Sequence, residues 1–254
     1  MFVNFDLIKE RMINAKVDKP ISGTLSGHSA GEPFDKHVYK LIKEQLPNNT
    51  FRQYEYLNDL FIKNPTSNTY ESRMRLIKSK SVSFLLSRGK QATASWSKDS
   101  QFVEKQNDTA DILVTDSNRF QIIDIKTRNL GLSPQPPNII SAYKLAELMA
   151  IILDHKEFDK VSIVYFAVEW SLEDRFLVCK EAHYADLFKE DPKTLYINWA
   201  AAMQVQFHVP NLRQNYTGSK EQWAKEYLLH FTQQAKKRAD DMSRKFVKPF
   251  EKYL

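Results

Sequence analysis

Residues 111–126 read Asp-Ile-Leu-Val-Thr-Asp-Ser-Asn-Arg-Phe-Gln-Ile-Ile-Asp-Ile-Lys, which predicts two strands around a turn. Asp111 to Val114 and Phe120 to Lys126 are rich in β-branched residues, and Thr115-Asp116-Ser117-Asn118 carries turn chemistry between them. With the turn centred between Ser117 and Asn118, Asp111 faces Asp124. Opposed residues of an antiparallel pair have Cβ atoms about 4.5–5.5 Å apart and leave the same sheet face. Lys126, two residues beyond Asp124, leaves that face as well. Ile112, Val114, Ile123 and Ile125 point the other way and supply a core. A slip of one residue would undo the alignment.

Two carboxylates held this close repel, and one lysine does not neutralise both. Oxygen ligands at this spacing suit a hard cation that keeps several waters, Mg²⁺ rather than zinc, and the backbone carbonyl of Ile125 offers another oxygen. Such an ion polarises a phosphate and lowers the pKa of an attacking water. Lys126 has three possible roles there: orienting that water, stabilising the pentacoordinate charge, or acting as a base if its pKa is depressed. A lone Asp-x-Lys is commonly a solvated edge pair. The opposed second acid and the apolar flanks favour the functional reading, because charges so embedded are costly without a task.

Outward from the hairpin, the order of elements is α+β. The segment from Phe34 to Leu46 places Phe34, Val38, Leu41 and Ile42 on one helical face, with Pro33 at its first position. Tyr54 to Ile62 and Ser72 to Leu86 also read as helices. A helix from about Ile139 to Leu153 follows the hairpin, then a buried strand from Val161 to Val168. Met203, Val205, Phe207 and Val209 alternate with polar residues as a half-buried strand. A last helix, about 220–250, carries Trp223, Tyr227, Phe231, Ala235, Ala239, Met242 and Phe246 on one face. The expected architecture is a central mixed sheet flanked by helices, in a single domain over residues 1–254, with a helical N-terminal part over about 1–90.

Composition bounds the function. A chain of 254 residues with 42% hydrophobic and 12% aromatic residues is globular. No apolar run approaches the ~20 residues of a membrane span. One cysteine, Cys179, excludes an intramolecular disulfide and suits a reducing cytosol. A net charge of +6 favours a polyanionic partner without naming one. The six histidines show no metal spacing, and only His28 and His208 stand out. The Gly23 to Gly31 loop lacks a Gly-Lys-Ser/Thr ending, so no nucleotide cofactor is expected. Lys236-Lys237-Arg238 reads as a solvated helix face before it reads as a DNA contact.

Asp111, a twelve-residue gap, then Asp124-Ile125-Lys126 resembles the PD-(D/E)XK nuclease pattern, with Ala110 in place of the proline. The likeness extends further: SGTLSGH (22–28), QYEYLNDLF (53–61), LLSRGK (85–90), EKQNDTADIL (104–113), KTRN (126–129), PNIISAYKLA (137–146), YINWAAAMQ (196–204) and FVKPF (246–250) resemble, in order, the HincII/HindII family of type II restriction endonucleases. The resemblance implies a homodimer that cuts the palindrome GTYRAC at its centre to blunt ends with Mg²⁺, in a bacterial cytoplasm, paired with a methyltransferase of the same specificity. It assigns metal binding to Asp111 and Asp124 and a catalytic role to Lys126. It also matches Gln135 to a glutamine pushed into the stack beside the central step, where pyrimidine–purine steps unstack cheaply. The prolines around Gln135 stiffen that segment. By the same matching Asn138, Tyr196, Asn198 and Gln106 are candidates for base edges or sugar, and Arg88 and Lys90 for phosphates. The rival readings are another nuclease of the superfamily acting in repair or recombination, and a DNA-binding protein without catalysis.

Overall fold

The computed structural model describes residues 3–20, 28–61, 71, 74–76, 78–87, 110–116, 118–132, 136–200, 203–207 and 212–253, with backbone alone at 28–30 and 61. In chain order the elements are α1 (Phe5–Met12), β1 (Lys16–Asp18), α2 (His28–Gln45), β2 (Thr50–Phe51), α3 (Gln53–Phe61), α4 (Lys80–Leu86), β3 (Ile112–Thr115) and β4 (Phe120–Asn129). There follow β5 (Asn138–Ser141), α5 (Ala142–His155), β6 (Val161–Glu173), β7 (Phe176–Asp186), β8 (Tyr196–Asn198), β9 (Gln204–Gln206) and α6 (Lys220–Met242). The fold is α+β, with a mixed sheet flanked by helices. Its order is β1-β7-β6-β4-β3-β2, and β4 and β6 are its parallel pair. A second, antiparallel sheet has the order β5-β9-β8.

The hairpin adopts the register expected of it: Ile112 pairs with Ile123, and Val114 with Gln121. Ile112, Val114, Ile123 and Ile125 pack against Phe5, Ile8 and Met12 of α1 and Phe34, Val38, Leu41 and Ile42 of α2. Each such side chain removed from water contributes roughly 1.5–3 kcal/mol. The opposite face is covered too. Leu113, Phe120 and Ile122 pack with Leu145, Leu148 and Met149 of α5 and with Trp223 and Tyr227 of α6. The acids therefore emerge from a sheet buried on both sides.

Several boundaries differ from expectation. The N-terminal part is not purely helical, since it also supplies the two edge strands: β1 pairs with β7 and β2 with β3. Pro33 lies inside α2, which begins at His28. The helix expected over Ser72 to Leu86 is interrupted at Ser79, the cap of α4. There the Glu157 carboxylate accepts from the Lys80 and Ser81 amides at 3.0 and 2.8 Å and satisfies a fresh helix start. Ile139 and Ile140 lie in β5, not in the helix, because Asn138, Ile140 and Ser141 pair with β9, with Ile139 at the bulge between them, and Ser141 then caps α5. β9 spans only Gln204–Gln206, and residues 208–211 lie outside the described part.

The last helix ends at Met242, followed by a π turn and a 3₁₀ turn. Its apolar stripe divides. Trp223 and Tyr227 are fully buried, their polar tips donating to Glu190 O at 2.7 Å and Ala142 O at 2.9 Å. Met242 and Phe246 are exposed, because the protein body ends before the stripe does. No helix among the described residues is long and apolar enough to cross a membrane.

Candidate active site

Asp111 sits one residue before β3, opposite the middle of β4. Its Oδ2 accepts the Ile125 N–H at 2.7 Å. Lys126 Nζ donates to Asp124 Oδ1 at 2.6 Å. The three side chains nominated from the sequence thus converge across two strands. Asp124 Oδ2 is buried and accepts no hydrogen bond among the described residues. A buried carboxylate oxygen without a donor is costly, and a bound cation is the partner that such an atom lacks. The Ile125 carbonyl fits the same task. In an extended strand the N–H and C=O of one residue leave on the same side. Since the Ile125 N–H turns toward Asp111, its carbonyl oxygen does so as well, past the end of β3.

Burial, above all, raises the pKa of both acids. Asp124 is pushed up to about 7 by desolvation and the neighbouring Asp111, against the pull of Lys126. Asp111 is raised by burial although Lys126 and the Ile125 N–H oppose it. Burial works to lower Lys126, but Asp124 and Asp111 overcome it and its pKa is raised. Of the three roles open to Lys126, general base is therefore the one this environment disfavours: without metal the group is an ammonium.

Two residues that the hairpin argument did not find hold Asp111 in place. Arg52 Nη1 donates to the Asp111 carbonyl at 2.9 Å and to Asp35 Oδ1 at 3.0 Å, with its guanidinium 4.4 Å from the Tyr39 ring centre. Gln53 Oε1 accepts the Ala110 N–H at 3.1 Å, while its Nε2 donates to Leu86 O. Both precede α3 or open it, more than fifty residues from the hairpin, and sequence spacing carries no trace of that contact. Another group was also missed. Glu169, Glu181 and His183 bring ligand atoms within 4.8 Å of one another on β6 and β7. Glu169 is held by Arg128 at 2.9 Å and Glu181 by His183 at 3.1 Å. That cluster is satisfied internally, unlike Asp124.

The candidate DNA-reading residues fall in two groups. Asn138, Tyr196 and Asn198 come together on the small sheet, through β5 and β8 on either side of β9. Tyr196 is exposed. Gln206, central and buried, donates to Asn138 Oδ1 at 2.6 Å and accepts from Asn198 Nδ2 at 3.2 Å. Gln135, Gln106, Arg88 and Lys90 lie outside the described residues, as do His208 and the side chain of His28. Of the basic run on α6, Arg238 lines a groove of about 410 Å³ together with Tyr196, Asn198 and Gln234.

Comparison with known proteins agrees with this geometry. A family model described as restriction endonuclease HincII matches residues 8–254. This chain belongs to the HincII restriction endonuclease family. Type II restriction enzyme HindII of Haemophilus influenzae (strain ATCC 51907 / DSM 11121 / KW20 / Rd) is 56% identical over 247 residues, 97% of this chain and 96% of that one. Type II restriction enzyme HincII of Haemophilus influenzae is 55% identical over the same shares. Membership in the HincII family sets a restriction endonuclease above a repair nuclease or a DNA-binding protein without catalysis.

Proposed function

We propose that this protein cuts duplex DNA by Mg²⁺-dependent phosphodiester hydrolysis at the centre of GTYRAC, leaving blunt ends, as a single-domain homodimer in the bacterial cytoplasm. A methyltransferase of the same specificity is its expected companion. One observation carries the reading: Asp124 Oδ2 is buried and without a donor among the described residues, beside a second acid, Asp111, that a hairpin returns to its side. Asp111, Asp124 and the Ile125 carbonyl would hold the ion, and Lys126 would stay protonated beside the phosphate and offset its developing charge. Bound there, Mg²⁺ supplies Lewis acidity and a more acidic water. Asn138, Tyr196 and Asn198, with Gln106, would meet base edges or sugar; Gln135 would enter the central step, and Arg88 and Lys90 would touch phosphates. A palindrome read by a two-fold protein asks for two copies of this chain.

The test is to digest a plasmid of known sequence with purified protein and Mg²⁺, then sequence the ends. Blunt ends between the pyrimidine and purine of GTYRAC are expected, and none with a chelator. Ends at other sequences, staggered ends or an unspecific smear would refute the specificity.

Arg238 gives a second expectation. It makes no ion pair or hydrogen bond among the described residues, and no acid lines its groove. Arg238→Ala should weaken duplex binding by about 3- to 10-fold and lower the salt slope by about one, on cognate and unrelated DNA alike. Lys237→Ala, on a different side of α6, should do much less. Equal losses from both would return Arg238 to an ordinary solvated face.

A further inference from the structure

We infer that Gln206 is a positioning residue for specificity: it transmits the orientation of one amide to another and so fixes which atom Asn138 offers to DNA. The inference rests on the reading that Asn138 and Asn198 meet base edges.

The observation is a directional chain of hydrogen bonds across β8, β9 and β5. It begins at a backbone group, where the Ala200 N–H donates to Asn198 Oδ1 at 3.1 Å. A backbone N–H only donates, so the Asn198 amide is held with its oxygen toward Ala200. Asn198 Nδ2 then donates to Gln206 Oε1 at 3.2 Å. This uses the Gln206 oxygen and turns its nitrogen the other way, to donate to Asn138 Oδ1 at 2.6 Å. Each amide has one acceptor end and one donor end, so reversing any link reverses those after it. Gln206 has only 7% of its surface exposed, which makes an unmatched link expensive.

Local structure explains the arrangement. Gln206 pairs with Tyr196 on one side and Asn138 on the other, and Asn198 reaches it diagonally. A bulge between Asn138 and Ile140 shifts the register of β5, which brings the Asn138 side chain to Gln206. The end of the chain is the exposed Asn138, whose Nδ2 has no partner among the described residues. It therefore faces DNA as a donor, suited to an acceptor on a base edge.

Gln206→Glu tests this. A carboxylate still accepts from Asn198, but it has no donor for Asn138, which must turn its nitrogen inward and its oxygen outward. Binding is measured without Mg²⁺ on GTYRAC duplexes and on a panel with each base pair changed symmetrically. The expected result is a fall in discrimination of about 10- to 100-fold at one symmetric pair of positions, the same pair affected by Asn138→Ala, with the other positions unchanged. Asn198→Asp inverts the chain from its other end, at a half-buried site, and should alter preference at the same pair; it decides the matter if Gln206→Glu does not fold. Discrimination unchanged in both variants, or a uniform loss at every position, would overturn the inference and leave Gln206 a structural residue. Absence of any GTYRAC preference in the unaltered protein would instead overturn the functional reading beneath it.

Discussion

Asp124→Asn is expected to abolish Mg²⁺-dependent cleavage, by about 10³-fold or more, while stabilising the metal-free protein at pH 8. The two effects have one cause. Asp124 titrates at about 7 in the fold, against roughly 3.9 in an unfolded chain. As pH rises past about 4, the unfolded chain releases this proton and the folded one keeps it. Through this group the metal-free fold loses stability between about pH 4 and pH 7, and the loss is complete above that window. An asparagine never ionises and escapes the loss, by a few kcal/mol at most, since Lys126 already offsets part of the charge. Melting curves with a chelator at pH 5 and pH 8 should show the variant gaining on wild type only at the higher pH. Added Mg²⁺ should reverse the order, because only wild type would gain a ligand. A variant that melts below wild type at pH 8 without metal would show that burial is not the source of the raised pKa. By the same titration, metal affinity should weaken about tenfold for each pH unit below 7, with a proton released on binding.

Arg52→Met should cost about 2–4 kcal/mol of stability and lower cleavage by about 10- to 100-fold. The guanidinium has 11% of its side-chain surface exposed and joins Asp35 to the carbonyl of Asp111. Removing it strands a carboxylate and frees the backbone that aims Asp111, and small misplacements near the chemistry are amplified in rate. Urea unfolding gives the first number and single-turnover cleavage the second. Arg52→Lys keeps the charge but lacks the planar head group that lies over Tyr39, so it should recover little of either. A lysine variant with full activity would mean that charge alone, not the shape of the guanidinium, positions Asp111.

The hairpin was legible because strand geometry is local. Period-two alternation separated Ile112, Val114, Ile123 and Ile125 from Asp111, Asp124 and Lys126, and a four-residue turn set the register that the structure adopts. The helical stripe of α2 was legible for the same reason, down to Phe34, Val38, Leu41 and Ile42, whereas the stripe of α6 is buried at Trp223 and Tyr227 and exposed at Ala239, Met242 and Phe246. Boundaries failed where a distant group intervened. Glu157 restarts a helix at Ser79, and β9 draws Ile139 and Ile140 into a strand.

What the amino-acid order determined, then, was everything set by neighbours a few residues apart: the hairpin of β3 and β4, its facing acids, and the apolar faces that must be covered. Tertiary structure alone decided the rest. It put Arg52 and Gln53 behind Asp111, capped α4 with Glu157, and lined up Ala200, Asn198, Gln206 and Asn138 head to tail. Hydrogen bonds between remote segments depend on where the packed layers bring their ends. A single polar side chain has no periodicity from which that meeting could be read.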